Sequence, residues 1–459
     1  MARAPRLSLC LITRDEAGRL PACLAAVAGF VDEIVVCDTG SVDDTVAIAK
    51  AAGARVVHFP WIGDFSAARN AALDAATGDW ILSLDADEQI APGGGPLLRA
   101  FIADPTVDCG FLPLYDANRL EASPAEVVSG AATDYPPTLL PRLFRRTPDL
   151  RWEGEIHENM DAWLAVPGRR ARGVMARIAH YGGIPALRHQ QGKTRRNVEL
   201  LERLIAARPR DVRLRGFLLY EVAADMPISA LQAALAEAFA ILVEEAPGLT
   251  PVNRQGLAEK VGGLYALVAY AIGDHATGDR VLGQCEAWGC DHPNLWWCAG
   301  VRAEACGDLD AAAAAWLRCL QDDRLWSVTI LAGVNSWRSQ LRLGLLHLRR
   351  GEAAPALARL EQAIGAPPPF GDEAIRGQAA ALSLLGRPRE ALVAIKPALT
   401  ANHPEGWLIA AAAVAQMGGR SQARDWLGKV AGRAVGPHLG LLLSRLEAAL
   451  AAPPVSPRS

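Results

Sequence analysis

Gly78-Asp79-Trp80-Ile81-Leu82-Ser83-Leu84-Asp85-Ala86-Asp87-Glu88 is an apolar run that ends abruptly in three carboxylates. Trp80 to Leu84 sets large and β-branched residues between turn signals, which predicts a short buried strand. Residues i and i+2 of a strand point the same way, so Asp85 and Asp87 aim at one point beyond its end. In parallel α/β sheets the carboxyl ends of the strands are where ligands bind. Two carboxylates there are hard donors for Mg²⁺ or Mn²⁺ shared with phosphate. Alone, Asp-x-Asp is more often an acidic, solvated strand end than a metal site. The surrounding chain has to decide.

Working outward, Leu7 to Thr13 predicts an apolar strand and Asp15 to Val27 a helix. Glu33 to Asp38 is a second buried strand, again ending in a carboxylate. Thr39-Gly40-Ser41 forms a tight turn, and Asp43 or Asp44 caps a helix from Thr45 to Ala52. Arg55 to Phe59 is a third strand, and Phe65 to Leu73 a helix that stops at Thr77-Gly78. This alternation predicts a parallel, right-handed, doubly wound sheet. Asp38, Asp85 and Asp87 then converge on one crevice. Neither G-x-G-x-x-G nor G-x-x-x-x-G-K-[ST] is present, so phosphate falls to a metal and side chains rather than to a glycine cradle. Arg69 is the nearest cation to face that crevice.

Downstream, Gly93 to Pro96 reads as a loop, and Phe111 to Tyr115 and Thr138 to Arg145 as strands. Arg151-Trp152-Glu153-Gly154-Glu155-Ile156-His157-Glu158-Asn159 then gathers one histidine and three carboxylates. If extended, Glu155 and His157 share a face and Glu158 takes the other. A general base with a further metal ligand, and a charged surface loop, both fit that pattern. From about Arg188 the composition turns to Ala, Leu, Arg and Glu at helical spacing. Gly273, Gly307, Gly351, Gly386 and Gly418 recur at intervals of 34, 44, 35 and 32 residues. A period near 34 with a turn glycine is the tetratricopeptide pattern, which stacks into a solenoid with a concave binding face. Cys285, Cys290, His292 and Cys298 lack compact zinc-ligand spacing and read as core residues, as do most of the tryptophans around them.

The whole chain of 459 residues calls for two or three domains. Its 47 Lys+Arg against 50 Asp+Glu give a net charge of −3, with no basic stripe for nucleic acid. No run approaches the roughly 20 apolar residues needed to span a bilayer. Leu7 to Ile12 is too short for a signal segment and lacks a small-residue cleavage site. Nine cysteines without a C-x-x-C pair predict a reduced, cytoplasmic protein, peripheral membrane attachment being left open.

Four motifs occur in order: Ser8 to Glu16, Val31 to Thr45, Asp64 to Asn70 and Gly78 to Glu88. Together they resemble the nucleotide-sugar-binding half of family-2 glycosyltransferases of GT-A fold. More narrowly, the chain is similar to a bacterial branch in which that domain precedes tetratricopeptide repeats. The resemblance implies an α/β GT-A domain (Rossmann-like, with a mostly parallel sheet) over residues 1–187. An all-α TPR-like solenoid would follow over 188–452, with a disordered tail at 453–459. It implies a metal-dependent, inverting transfer of a sugar from a nucleoside diphosphate, with a UDP-sugar as donor, to an acceptor hydroxyl or thiol. The acceptor would be a protein or peptide recruited by the repeats, with a homodimer left open. By the same resemblance Asp38 accepts from the uracil base, and Thr13 and Glu16 lie where strand one meets the nucleotide. Arg69 sits beside base and diphosphate, Asp85 faces ribose and metal, and Asp87 binds the Mn²⁺ or Mg²⁺ directly. Ile156-His157-Glu158 matches a segment of that branch. Glu158 is therefore the expected base, Glu155 the alternative, and His157 an orienting or metal-binding group. His180 is expected near the metal or as a structural histidine. A repeat scaffold whose transferase-like domain has lost activity is the competing reading.

Overall fold

The computed structural model describes residues 3–134, 136–184, 193–223, 225–322, 324 and 333–451. The expected boundary at 187–188 and the tail at 453–459 lie outside them. The chain packs as two compact units, one comprising 1–261 with 324–329, the other 262–323 with 330–459.

The first unit is built on a mixed sheet. Its strands are β1 (Leu7–Thr13), β2 (Glu33–Asp38), β3 (Arg55–His58), β4 (Trp80–Ser83), β5 (Glu88–Ile90), β6 (Cys109–Asp116), β7 (Thr138–Arg145), β8 (Ala171–Gly173) and β9 (Ile178–His180). They lie in the order β3-β2-β1-β4-β7-β6-β9-β5, with β8 also on β6. The four strands β3-β2-β1-β4 are parallel, as their alternation with helices requires. Beyond them β7 enters antiparallel to β4, and β6 antiparallel to β7. The doubly wound pattern thus stops at β4, because β7 is inserted antiparallel between β4 and β6.

Helices cover both faces, which is why β1 is buried along nearly its whole length. On one face Leu7, Leu9 and Leu11 pack with Leu20, Leu24 and Val27 of α1 (Leu20–Val27) and Leu98 and Phe101 of α4 (Gly94–Ile102). On the other face Cys10, Val35 and Ile81 pack with Ala68, Ala72 and Leu73 of α3 (Phe65–Ala75). The α2 helix (Thr45–Ala51) follows β2, with Asp43 accepting the Thr45 N–H at 3.0 Å. Two expectations shift. The first helix starts at Leu20, because Asp15 takes a left-handed φ of +54° and the chain turns before it coils. Gly94 and Gly95 open α4 where a loop was expected, since a Cβ on Gly95 would lie 2.6 Å from the Phe30 ring.

Two short helices, α5 (Pro124–Val128) and α6 (Asp161–Leu164), precede a helical segment that composition groups with the repeats. It comprises α7 (Lys193–Ala207) and α8 (Val212–Val222). By packing it belongs to the first unit, where Leu200, Leu201, Leu204 and Leu214 enclose Ile156. Composition changes near residue 188, whereas the contacts change near 261.

The second unit consists of helix pairs: Gly263–Ala271 with His275–Ala287, Pro293–Ala305 with Leu309–Gln321, Trp337–Arg349 with Ala353–Glu361, Phe370–Leu384 with Pro388–Thr400, and Pro404–Gln416 with Arg420–Gly428. The period-setting glycines sit in the turns with left-handed φ, from +74° at Gly386 to +89° at Gly418. His292 caps its helix, with Nδ1 accepting the Asn294 N–H at 3.2 Å. Cys285, Cys298, Cys319 and Trp316 are fully buried. Among the described residues no helix is long and apolar enough to cross a membrane.

Candidate active site at the carboxyl edge of the parallel strands

Thr13 and Asp38 stand opposite each other at the ends of β1 and β2. The Asp38 carboxylate is 4% exposed and accepts from the backbone N–H groups of Gly40 and Ser41 at 3.2 Å. The turn after β2 thus orients it toward the strand ends. The Thr13 hydroxyl is buried and has no hydrogen-bond partner among the described residues. A buried, unsatisfied hydroxyl is costly and suits a position where a ligand completes it. Glu16 is engaged by Arg19 Nη2 at 2.7 Å, and its N–H donates to Thr45 Oγ1.

The helix α3 brings Arg69 under the end of β4. Asp64 caps that helix by accepting the Ala67 N–H at 2.9 Å. Arg69 is 6% exposed. It donates from Nη2 to Asp85 Oδ1 at 2.7 Å, from Nη1 to Ser83 Oγ at 3.2 Å, and from Nε to Glu158 Oε1. Its guanidinium also lies 5.1 Å from the centre of the Trp152 ring. Burial alone would favour the neutral form of this arginine, but Asp85 and Glu158 hold it firmly charged. Burial likewise works against an ionised Asp85, and Arg69 and Arg142 outweigh it, holding the carboxyl well below the usual range.

Asp87 is 6% exposed and stands 3.7 Å from His180 Nε2. His180 Nδ1 is held by Asp116 Oδ1 at 2.6 Å. Burial would lower the His180 pKa, but the Asp116 hydrogen bond and the charges of Asp87, Asp116 and Glu88 raise it to about 9. At Gly182 a Cβ would come within 2.1 Å of Asp87 Oδ2, so the chain leaves no room beside this pair for a side chain. The donor set fits a hard divalent ion. It offers one carboxylate, one imidazole nitrogen whose ring is oriented by a second carboxylate, and a strongly negative local field. Among the described residues no three His, Cys, Asp or Glu side chains form a complete ligand group, so diphosphate oxygens and water would supply the rest.

Glu88 belongs to β5, is 1% exposed, and pairs with Arg142 of β7. Burial is the main reason that its pKa rises to about 7. Local sequence gave no sign that Arg142 and Asp116 belong to this cluster. Arg142 arrives on β7, antiparallel to β4, while the antiparallel β5–β9 and parallel β6–β9 pairings seat Glu88 and Asp116 against His180. Of the expected base residues, Glu158 reaches the cluster through Arg69. Glu155 reaches the turn after α7, where Arg208 Nη2 meets Oε2 at 2.8 Å, and His157 stacks on Phe217 of α8. A cavity of about 470 Å³, lined by Ala22, Ala26, Phe30, Ile90, Pro96 and Pro124 among others, holds none of these carboxylates.

The sequence model of glycosyl transferase family 2 matches residues 8–165. That stretch is a family-2 glycosyltransferase domain. A TPR repeat-containing protein of Synechococcus elongatus is 39% identical over 230 residues, 48% of this chain and 54% of that protein. The SPbeta prophage-derived glycosyltransferase SunS of Bacillus subtilis is 28% identical over 211 residues, 45% of this chain and 46% of its own. The chain spans about half the length, or less, of the curated relatives it matches. Among solved structures, glucosyl-3-phosphoglycerate synthase from Mycobacterium tuberculosis, in complex with Mn²⁺, UDP-glucose and phosphoglyceric acid, is 26% identical. That match covers 24% of this chain and 44% of the other, with a TM-score of 0.22.

Proposed function

We propose that this family-2 domain is a metal-dependent, inverting glycosyltransferase that takes its sugar from a nucleoside diphosphate, with UDP as the nucleotide. The observation that carries the reading is the Asp87–His180 pair, backed by Asp116 and set beside the Arg69–Asp85–Glu158 triad. Asp38 accepts from the base N–H, and the Thr13 hydroxyl completes its hydrogen bonding on the nucleotide. Asp87 and His180 would hold a Mn²⁺ or Mg²⁺, which when bound neutralises charge developing on the leaving diphosphate. Asp85, fixed by Arg69, faces the ribose and metal.

Glu158 takes the acceptor's proton as its oxygen or sulfur attacks the anomeric carbon from the face opposite the diphosphate. Arg69 pins Oε1 of this carboxylate. Oε2, without a partner among the described residues, is the atom that meets the proton. The helical repeats recruit the acceptor, a protein or peptide, and nine free cysteines fit a reduced, cytoplasmic setting.

The test is calorimetric titration with UDP and GDP, with and without Mn²⁺, on the wild type and on Asp87→Ala. Mn²⁺-dependent UDP binding that Asp87→Ala removes is expected. Binding and transfer that survive the substitution refute the metal assignment. A wild type that binds no nucleotide refutes the transferase reading in favour of a repeat scaffold.

A further inference from the structure

Segment 152–159 lies between two partners. On one side it is fastened to α3. Asn70 donates to the Trp152 carbonyl at 3.0 Å and accepts the Trp152 N–H at 2.9 Å, the Phe65 N–H donates to the Glu155 carbonyl, and Arg69 donates to Glu158. On the other side it meets the helices. Ile156 is buried among leucines of α7 and α8, and the His157 ring stacks on Phe217 with centroids 3.9 Å apart and planes 18° from parallel. Lys260 places its ammonium 3.9 Å from the same Phe217 centroid. His157 already covers one face of that ring, so the ammonium lies over the other.

The loop itself is tightly drawn. Glu153 and Asn159 exchange backbone hydrogen bonds at 2.9 and 3.0 Å, and Gly154 takes a φ of +97°. His157 takes a φ of +51°, the left-handed region that an L-residue holds only when its surroundings impose it. The stack on Phe217 is one of the contacts that hold this ring in place. Glu158 is the next residue, so its carboxylate cannot keep its place on Arg69 if the turn at His157 relaxes.

We propose that Phe217, held between His157 and Lys260, is a positioning residue for the transfer reaction. It fixes the left-handed turn at His157 and thereby sets Glu158 on Arg69. This rests on the transferase reading above. It gives His157 an orienting role exercised by packing. It also makes the helical segment after the family-2 domain part of the reacting machinery.

The experiment uses the full chain and three variants. Phe217→Leu keeps an apolar side chain but removes the plane, Phe217→Tyr keeps the plane, and His157→Asn removes the partner ring while tolerating a left-handed φ. Hydrogen exchange is followed in peptides covering 153–159, UDP binding with Mn²⁺ by calorimetry, and turnover by Mn²⁺-dependent hydrolysis of a UDP-sugar. Phe217→Leu and His157→Asn should speed exchange in 153–159 and lower kcat roughly 10- to 100-fold, the scale expected for misplacement by about an ångström. The Kd for UDP should stay within about twofold, and Phe217→Tyr should behave as wild type. Unchanged exchange overturns the proposal, as does a Kd that worsens in step with kcat or a Tyr variant that falls as far as the Leu variant. If Phe217→Leu does not fold, His157→Asn decides by the same criteria. If the wild type binds no UDP, the transferase reading fails by itself. The exchange data still decide whether Phe217 holds this loop.

Discussion

Gly182→Ala tests the proposed metal pair without removing a ligand. A Cβ built on Gly182 lies 2.1 Å from Asp87 Oδ2 and 2.8 Å from His180 Nε2, against 3.4 Å or more for ordinary contact. The carboxylate oxygen would have to retreat by about 1.3 Å, because the new methyl is fixed to backbone and cannot swing away. Asp87 has little freedom to comply. Its own carbonyl is held by the Tyr181 N–H at 3.0 Å, and its side chain is almost wholly buried. An ångström of misplacement at a reacting centre costs on the order of 100-fold in rate. Mn²⁺-dependent UDP binding and UDP-sugar hydrolysis should therefore fall by one to two orders of magnitude. Stability should fall by about 1–3 kcal/mol from the overpacking, without added backbone strain, since Gly182 is not among the left-handed glycines. Gly173→Ala, at a site with nothing within 4 Å of the added Cβ, is the control and should be silent. Calorimetry with UDP and Mn²⁺, run beside thermal unfolding of each variant, makes the measurement. A Gly182→Ala protein that binds UDP·Mn²⁺ as the wild type does would refute Asp87 and His180 as the metal-holding pair.

Three further outcomes follow from the packing. Arg69→Met should cost about 3 kcal/mol in urea unfolding, because it strands the largely buried Glu158 and leaves the half-buried Asp85 to Arg142. Adding Glu158→Gln should recover part of that loss, and a purely additive double variant would refute the triad. Lys260 is held near pKa 8 by burial and by the nearby Arg213. The unfolded chain, near pKa 10.5, binds more protons between those values, so stability rises with pH from about 8 to 10.5. Lys260→Met should remove that rise, on the order of 2–3 kcal/mol; identical pH profiles of unfolding would refute the buried ammonium. Leu201→Ala should cost about 2–5 kcal/mol and speed exchange in 153–159, since Leu201 is fully buried in the cluster around Ile156; a surface-like loss below about 0.5 kcal/mol would show that α7 does not seal that loop.

The parallel half of the sheet was legible because each of its strands carries a short apolar run and is punctuated by a turn. The repeat turns were legible because a glycine at a left-handed φ leaves a period in the chain. The partners of the acidic cluster were less so. Asp116, Arg142 and His180 meet Glu88, Asp85 and Asp87 through antiparallel and edge pairings across tens of residues. Local periodicity says nothing of such a register. Gly94-Gly95 misled in the opposite direction. Two glycines signal a loop by propensity, but here the close approach of Phe30 demands a glycine inside a helix. The helices α7 and α8 share the composition of the repeats, and it is packing, such as the burial of Ile156 and the ring on His157, that assigns them to the first unit.

That assignment bears on modularity. The family match ends at residue 165, and composition suggests a seam near 188, yet the loop bearing Glu158 is finished on one side by side chains from 200 to 217. A fragment cut at the apparent seam would bring Ile156 and Phe65 to the surface and separate His157 from its stacking partner. Shuffling this domain onto other repeat arrays would therefore have to carry α7 and α8 with it. The packed unit is longer than the stretch that identifies it.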